Sequence, residues 1–524
     1  MEESYIASLD VGTTTVRCYI FNSRAETVGI GRGQVELIYP KPGYVEINPE
    51  KLWETVEECI KDAIIDSKLS PGQITCLGIS TQRCSFCCWN KKTGKSLHNF
   101  ITWKDLRANK IVKQWNESLS MKGLRFGSNC LYLISRNKRY LAGSVLRIMN
   151  GQVTPRLAWC LQHLPDLVEA VREKYAMFGT VDTWILYKLS GGKLHVTDVS
   201  NASATGFYDP FTFCWAGWAL TMFKIPTDIL PVVIDTAGDI GSTDKSLFGA
   251  EIPIKCSMAD QSASMFGSCC FEPGDMKVTL GTGSFLNVNT GRSAHASATG
   301  IYPLVAWRFG NEYAYAVEGA SNDTGSLIQW AMGIGLFSDP ADTCYMAQSV
   351  QSNDGIYFIP AFSGLGAPIN DFKAASGFLG LKPTTNKAHM VRSILESIAF
   401  RVVQLYDVVH KETPFPYRKI RIDGGVSKND FICQMLSDLT TLTVQRARTA
   451  ELSVVGAAYL AGLTTGIWTS KDELKRLSRF DTEFQPNEKS HRTNRHVLEN
   501  WCRVLERFRN WYPHEVSELE LNKL

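Results

Sequence analysis

The sequence lacks the features that would assign it to a membrane, a secretory route or a nucleic acid. No apolar run approaches the roughly 18 residues of a transmembrane helix. The acidic start, MEESYIASLD, has no basic region followed by an apolar stretch, so we expect no signal peptide. The net charge is +3, and the longest basic run, residues 136–139, is short. We therefore expect no dedicated surface for nucleic acid or for an anionic membrane.

Regularly spaced cysteines are also absent, although the chain contains 15 of them. An odd, scattered set in a chain long enough to build its own cores favours free thiols and a reducing, cytoplasmic compartment. Cys84, Cys87 and Cys88 cluster within residues 78–89, but no further Cys or His lies near them at ligand spacing, which argues against a metal or redox site. The C-terminal Asn-Lys-Leu only loosely resembles a peroxisomal address, and nothing supports a mitochondrial surface.

What is present is a pattern that occurs once in each half of the 524 residues. The first half predicts strands at 5–11, 15–21 and 27–38, a helix from Asn48-Pro49-Glu50, and a strand at 74–81. The second half predicts strands at 276–280, 284–289, 301–309 and 312–318, followed by a helix at 324–332. We therefore expect two similar α/β domains, 1–257 and 258–524, with a cleft between them.

Three glycine-rich turns follow predicted strands. They lie at 12–14, 281–283 and 423–425, the last after a strand at 419–422 and before helices at 429–439 and 453–463. Backbone N–H groups in such turns, with threonine hydroxyls, suit phosphate oxygens, and the strand-end aspartate Asp10 suits Mg²⁺. Two facing turns can clamp a triphosphate from both sides. No Walker A pattern competes with this interpretation, and the order of the turns is similar to that of the actin-like ATPases.

A further carboxylate, Asp260, stands in the segment ADQSA at 259–263, just after the expected domain boundary. Phosphoryl transfer to an alcohol needs a group that orients the attacking hydroxyl and accepts its proton, and a carboxylate does this in kinases. The alternative is a helix N-cap, and one side chain can serve both purposes. At the far end, residues 497–512 predict a helix that covers the core, with Leu498, Trp501, Val504, Leu505, Phe508 and Trp511 on one face.

Many ordered motifs resemble those of the FGGY carbohydrate kinase family, in its glycerol kinase branch. They are LDVGTTTVR (9–17), YPKPGYVEINP (39–49), GISTQR (78–83), FGTVDTW (178–184), HVTDVSNAS (195–203), ADQSA (259–263), LGTGSF (280–285), PAFSGLGAP (360–368), SGFLGLKPTTNKAHMVRSILE (376–396), DGGVSKN (423–429) and GAAYLAGL (456–463). The resemblance covers nearly the whole chain. It implies two RNase H-like (actin-like ATPase) domains that close over MgATP and a small polyol such as glycerol.

The resemblance also implies roles for individual residues. Asp260 matches the catalytic base, and Asp10 and Asp260 match the metal side of the site. The positions matching the nucleotide site are Thr13, Thr14, Thr15, Arg17, Thr282, Gly325, Gln329, Gly425 and Asn429. The positions matching the substrate pocket are Arg83, Cys84, Trp103, Asp260, Gln261 and Phe285.

Three positions depart from the glycerol kinase pattern. The family has glutamate directly after the arginine, where this chain has Cys84, and it has a pocket tyrosine that is missing here near Gly151; Arg156 replaces the usual lysine. A thiol is a weak hydrogen-bonding group, so each lost bond should cost about 1.5–3 kcal/mol. Three hypotheses stay open: a kinase of glycerol kinase type, a kinase for another small polyol or sugar, or a weakly active regulatory protein. The sequence leaves homo-oligomer formation open.

Overall fold

The structure, a computed structural model, describes residues 3–297, 299–449, 451–478 and 480–516. In chain order the strands β1–β23 within these ranges are Tyr5–Val11, Thr15–Asn22, Thr27–Gln34, Glu46–Ile47, Ile74–Thr81, Phe86–Asn90, Phe100–Ile101, Ala176–Thr180, Val196–Asp198, Tyr208–Asp209, Cys214–Trp215, Val232–Ile234, Ala237–Ser242, Pro253–Ala259, Met276–Leu280, Ser284–Gly291, Tyr302–Phe309, Glu312–Ser321, Tyr357–Ile359, Gly377–Leu379, Lys419–Asp423, Thr443–Ala447 and Phe480–Phe484.

The helices α1–α18 of the same ranges are Pro49–Ser67, Asn109–Glu117, Leu119–Ser135, Lys138–Ser144, Val153–His163, Pro165–Arg172, Val181–Leu189, Val199–Ala204, Gly217–Phe223, Lys245–Phe248, Asp260–Gly267, Gly325–Gly333, Asp342–Gln348, Lys387–Glu412, Asp430–Thr440, Leu452–Thr465, Lys471–Leu477 and Glu488–Phe508. Short 3₁₀ turns add Pro71–Gln73, Thr227–Ile229 and Gly425–Lys428. Among the described helices, none has the length and apolar composition needed to cross a bilayer.

Two large sheets organise the molecule, and each contains the predicted pattern. In the first sheet, of order β13-β14-β5-β1-β2-β3, β1 pairs with β2 antiparallel and with β5 parallel. In the second, of order β17-β18-β16-β15-β21-β22-β23, β15 pairs with β16 antiparallel and with β21 parallel. The predicted mixed α/β fold with two similar sheets is confirmed. The parallel neighbours bring the ends of β1 and β5, and of β15 and β21, to the same edge of their sheets.

Helix α1 begins as its sequence predicts. The side chain of Asn48 accepts from the N–H groups of Glu50 and Lys51, and Pro49 occupies the first helical position. Its apolar face is buried in full: Leu52, Trp53, Val56, Ile60, Ala63 and Ile64. The reason is the 3.6-residue period, which puts these positions on one side against the first sheet.

Some predicted bounds were wrong. Strand β3 ends at Gln34, earlier than the expected 38, and the C-terminal helix α18 runs from Glu488 to Phe508. Trp511 lies beyond that helix and is 68% exposed, so it does not join the buried face formed by Leu498, Trp501, Val504 and Leu505. The segment around residue 257 lies inside β14 of the first sheet, which continues directly into α11. The division into 1–257 and 258–524 stays a prediction.

Candidate active site

The first glycine turn connects β1 to β2. The Gly12 N–H donates to the Thr15 carbonyl at 2.9 Å, closing the hairpin, and Thr14 at its tip is exposed. Thr13 is held from one side, because its Oγ1 accepts from the indole N–H of Trp103 at 3.0 Å and donates to Gln82 Oε1 at 3.2 Å. The turn therefore leaves Thr14 exposed, while Trp103, a predicted pocket residue, is fixed against it.

Asp10 lies at the end of β1, opposite Arg17 on β2. Arg17 contacts two acids, with Nη1 3.4 Å from Asp10 Oδ2 and Nε 3.1 Å from Glu451 Oε2. Burial raises the pKa of Asp10, although the neighbouring Ser80 and the charge of Arg17 oppose the shift. Its other oxygen, Oδ1, is buried and has no hydrogen-bond partner. A buried carboxylate oxygen without a donor suits a hard cation such as Mg²⁺.

The second turn lies between β15 and β16, where the Gly281 N–H donates to the Gly283 carbonyl at 2.9 Å. Helix α12 begins directly on it, since the Gly325 N–H donates to the Gly281 carbonyl at 3.0 Å. A Cβ at position 325 would lie 2.7 Å from that carbonyl oxygen, so only glycine fits. Thr282 at the tip is exposed, as is Gln329 one turn into α12. The helix N-terminus and the turn thus form one polar surface.

The third loop follows β21, the parallel neighbour of β15. Gly424 has φ 90°, and a Cβ there would lie 2.4 Å from the Leu280 carbonyl oxygen. Gly425 is open, with no atom within 4 Å of a built Cβ. Asn429 caps α15 and donates to Thr343 Oγ1 at 3.0 Å. Close packing of the second and third loops therefore requires the glycine that precedes Gly425.

A buried ion pair connects these loops to α11. Lys277 on β15 is 0% exposed, and its Nζ lies 3.0 Å from Asp423 Oδ1. The other oxygen of Asp423 accepts from Ser264 Oγ on α11 at 2.8 Å. Gln261, one turn earlier on α11, accepts from Thr279 Oγ1 at 3.4 Å. These contacts set the position of α11 relative to the second and third loops.

Asp260 is the first residue of α11, and Ala259 rather than Asp260 is the N-cap. The N-cap alternative is thus wrong, although Asp260 Oδ1 does accept from the Gln261 N–H at 2.7 Å. The same oxygen lies 3.4 Å from Arg83 Nε, and the side chain is 32% exposed. Burial and the charge of Asp10 raise the pKa of Asp260 to about 6, although Arg83 opposes the shift. An ionised carboxylate with such a pKa is a competent base near neutral pH.

Arg83 connects residues from both halves of the chain. Its Nη2 donates to both carboxylate oxygens of Glu318 on β18, at 2.8 and 2.9 Å. Glu318 is fully buried and also accepts from Tyr302 OH at 2.6 Å and from Asn287 Nδ2 at 2.8 Å. Burial alone would raise the pKa of Glu318, but Arg83 and these donors outweigh it and lower the pKa. The structure therefore gathers Asp260, Arg83 and Glu318 in one charged cluster.

Glu318 and Tyr302 were missed by the sequence analysis. The one available signal was a single acidic residue, Glu318, inside the apolar run AYAVEGA at 314–320. A charged side chain in a central strand is buried only when a partner neutralises it, but nothing in the run indicates that the partner is Arg83, 235 residues away.

Cys84 lies beside this cluster, between β5 and β6. Strand β6 begins at Phe86, and Cys84 precedes it with φ 65°. Its thiol donates to the Ala204 carbonyl at 3.2 Å. Cys87 and Cys88 are fully buried on β6, facing two different apolar clusters. All 15 cysteines are free thiols, and no group of three or more His, Cys, Asp or Glu suited to a metal ion occurs among the described residues.

The fully buried Arg156 lies under the same corner. It donates to the carbonyls of Cys84 at 2.9 Å, Gly151 at 2.8 Å, Ile101 at 3.1 Å, Gln152 at 3.1 Å, and Thr102. Burial lowers the pKa of Arg156 to about 10. All of these acceptors are backbone carbonyls, so the guanidinium fixes the loops at 84 and 101–102 against α5. It is a structural support of the pocket rather than a ligand group.

Ser200 and Asp198 fix the end of β14, the strand that leads into Asp260. Ser200 Oγ accepts from the Ala259 N–H at 2.8 Å and donates to Asp198 Oδ2 at 2.7 Å. All of these groups are buried, so the end of β14 has little freedom. Phe285, a predicted pocket residue, lies on β16 opposite Thr279 and is partly exposed. Its role, like those of the other predicted site residues, stays a prediction.

Comparisons with known proteins extend over nearly the whole chain. A family model described as the N-terminal domain of the FGGY family of carbohydrate kinases matches residues 5–267, and the model of the C-terminal domain matches 276–465. Glycerol kinase 5 of Danio rerio is 47% identical over 515 residues, 97% of each chain, and that of Homo sapiens is 46% identical over 508 residues. Glycerol kinase 2 of Thermotoga maritima is 36% identical and covers 97% of this chain.

Solved structures agree with this fold. A crystal structure of Plasmodium falciparum glycerol kinase with ADP superposes with a TM-score of 0.86 at 26% identity, covering 97% of this chain and 98% of the other. Gluconate kinase of Lactobacillus acidophilus superposes with a TM-score of 0.82 at 22% identity, which bears on the fold alone.

Proposed function

Because the chain belongs to the FGGY family of carbohydrate kinases, we propose that it phosphorylates glycerol to sn-glycerol 3-phosphate, with ATP as the phosphoryl donor. Family membership makes the protein a glycerol kinase-like phosphotransferase with an alcohol acceptor. Glycerol as the acceptor is supported by relatives named glycerol kinase at 36–47% identity over nearly the whole chain. The reducing environment suited to its free thiols is that of the cytosol, which is where we expect it to act.

The observation that carries the proposal is the contact of Asp260 with Arg83. A hydroxyl group of glycerol would donate to Asp260, whose carboxylate accepts the proton as the oxygen attacks the γ-phosphorus. Arg83, held by Glu318, keeps that carboxylate in place and can donate to the remaining hydroxyl groups through its free N–H groups. Trp103 and Phe285 would pack against the carbon chain of the substrate.

The glycine turns would hold the nucleotide. Turns 12–14 and 281–283 supply N–H groups and hydroxyls for the phosphates, and Gly325, Gln329, Gly425 and Asn429 would line the rest of the nucleotide. Arg17 is bound to two carboxylates, so it acts on phosphate only if ATP displaces one of them. These donors would stabilise the negative charge on the transferring phosphoryl group without having to rearrange.

The unpaired Oδ1 of Asp10 suits a magnesium ion, and Asp10 with Asp260 would hold it. When bound, Mg²⁺ supplies positive charge that offsets the phosphate oxygens. Asp10 also acts electrostatically, since its charge raises the pKa of Asp260.

The test is ADP release by the purified protein with MgATP and a panel of polyols and sugars. We expect glycerol to be the best acceptor, and Asp260→Asn to lower kcat by about a hundredfold or more, because the base is lost. Asp228→Asn makes the same chemical change at an exposed position outside the site, in the turn Thr227–Ile229, and as the matched control it should retain most activity. Equal ADP release by wild type and Asp260→Asn with every acceptor would refute the kinase mechanism and favour a regulatory protein. A different best acceptor would refute glycerol as the substrate but would leave the kinase mechanism standing.

A further inference from the structure

The described surface contains one strongly basic region, which we call the basic hairpin, residues 118–150. It comprises α3, Leu119–Ser135, and α4, Lys138–Ser144, which pack against each other. The hairpin contains six Lys and Arg residues and no Asp or Glu, a net charge of +6. The whole chain has +3, so the remaining residues together carry −3. The positive charge of the protein is therefore concentrated here.

One face of α3 is apolar and exposed. Leu119, Phe126, Leu133 and Ile134 are 86, 72, 56 and 83% exposed, and their spacing of seven and eight residues places them along one side of the helix. Met121, on the opposite side, is the one buried residue of α3. A Cβ added at Gly123 or Gly127, on the exposed side, would meet no atom within 4 Å. No other described residue covers this face.

The hairpin also carries cations, and three of them form no ion pair within the described residues. Lys122 lies at the edge of the face, Arg136 ends α3, and Arg147 follows α4; all three are exposed. The other basic side chains have structural partners. Arg125 donates to the Leu146 carbonyl at 2.8 Å and joins the two helices, and Arg139 pairs with Asp209 at 2.5 Å.

We propose that the basic hairpin binds the surface of an anionic lipid bilayer, with α3 lying in the plane of the interface. Exposed Leu, Phe and Ile on one side, with Lys and Arg around them and no acid, is the composition that enters the headgroup boundary. Anionic lipids attract such cations, and the apolar side chains add burial that a soluble anion cannot offer. A second copy fits less well, because pairing two hairpins would bring two charges of +6 together.

The test uses the full-length protein and extruded vesicles of phosphatidylcholine, alone or with about a third phosphatidylserine, with binding measured by flotation. We expect the partition coefficient to be at least about tenfold higher on the anionic vesicles at roughly 0.1 M salt and to fall at about 0.5 M salt, where screening is stronger. Phe126→Ser/Ile134→Ser and Lys122→Glu/Arg136→Glu should each lower it about tenfold.

Two matched control variants test whether reduced vesicle binding follows merely from the removal of any exposed apolar side chains or any positive charges. Ile65→Ser/Trp511→Ser removes side chains of 73 and 68% exposure elsewhere, and Lys91→Glu/Lys95→Glu reverses two exposed charges on another loop; both should bind like wild type. The proposal is overturned if the wild-type protein binds anionic vesicles no better than phosphatidylcholine vesicles. It is overturned as well if the control variants lose as much binding as the hairpin variants. It is also overturned in favour of a second copy if light scattering finds a dimer that Phe126→Ser/Ile134→Ser dissociates. Unchanged thermal unfolding of the variants excludes misfolding, and kinase activity without vesicles is read separately.

Discussion

At position 84 a thiol stands where the glycerol kinase branch carries a carboxylate, and the structure puts this thiol next to the residues proposed to act on the substrate. Two guanidinium groups, Arg83 and Arg156, favour the ionised form of residue 84, whereas Glu318 and Asp260 disfavour it. Burial is the largest influence and raises the pKa of Cys84, so the group is a neutral thiol. A neutral thiol gives a polyol hydroxyl only a weak bond.

Cys84→Glu should therefore lower KM for glycerol about tenfold or more, because a charge-assisted hydrogen bond is restored. Steady-state kinetics at saturating ATP measures this. Cys84→Gln is the matched control: it has the same length without the charge, and should gain less. An unchanged KM in a folded Cys84→Glu protein would mean that residue 84 does not face the substrate.

The pH dependence of kcat/KM should report Asp260. Its pKa is raised to about 6, and the base works only when ionised, so kcat/KM should be constant above about pH 7 and fall tenfold per unit well below 6. Glu318→Gln should move this acid limb to lower pH. Loss of the Glu318 charge lowers the pKa of Asp260, and Arg83, released from Glu318, can pair with Asp260 more closely.

A structural role for Glu318 alone would lower kcat/KM at every pH and leave the limb where it is. The shift of the limb, rather than the loss of rate, is thus the result that tests the charged cluster.

At the scale of elements, α11 and α16 approach so closely that only glycine fits between them. A Cβ at Gly456 would lie 1.7 Å from the Ala263 carbonyl oxygen, and one at Gly267 would lie 2.3 Å from that of Leu452. Helix α11 begins with Asp260, and Glu451, which binds Arg17, immediately precedes α16. The packing of these two helices therefore sets the distance between the proposed base and the first phosphate turn.

Gly456→Ala should lower the melting temperature by about 4 °C or more, because the new methyl group forces the helices apart. It should also lower kcat, since Asp260 moves with α11. Gly127→Ala in α3, where a Cβ meets no atom, is the matched control and should be neutral or slightly stabilising. Differential scanning calorimetry and kinetics of both variants check this, and equal behaviour of the two would contradict the close-packing argument.

The same scale explains which elements were predictable. Helix α1 and strands β1, β2, β5 and β15 follow local period and cap signals, and their predicted residues agree with the structure. The end of α18 was missed because Trp511 continues the apolar period after the helix has ended at Phe508. The apolar period shows only which residues are apolar. Where the helix ends depends on whether neighbouring elements can pack against those residues.

At the scale of the whole molecule, the near-neutral net charge conceals an uneven distribution. The charges of all 524 residues sum to +3, although the basic hairpin alone has +6. By its length alone, the short basic run at 136–139 predicted no anionic-membrane surface. In the folded hairpin, Lys122 and Arg136 instead lie beside an exposed apolar face of α3. The length of a basic run in the sequence does not reveal this arrangement.

The amino-acid sequence by itself determined the two α/β halves, the three glycine turns and the family. These depend on local signals: alternating apolar residues, glycines at strand ends, and motifs in a fixed order. Only the tertiary structure decided that Arg83 binds Glu318, that Gly456 lets two helices pack closely, and that one face of α3 stays uncovered. The first two features bring together residues that are remote in sequence, and the third depends on which surface the rest of the chain leaves exposed. Such contacts follow from the packing of the complete fold, which local patterns do not contain.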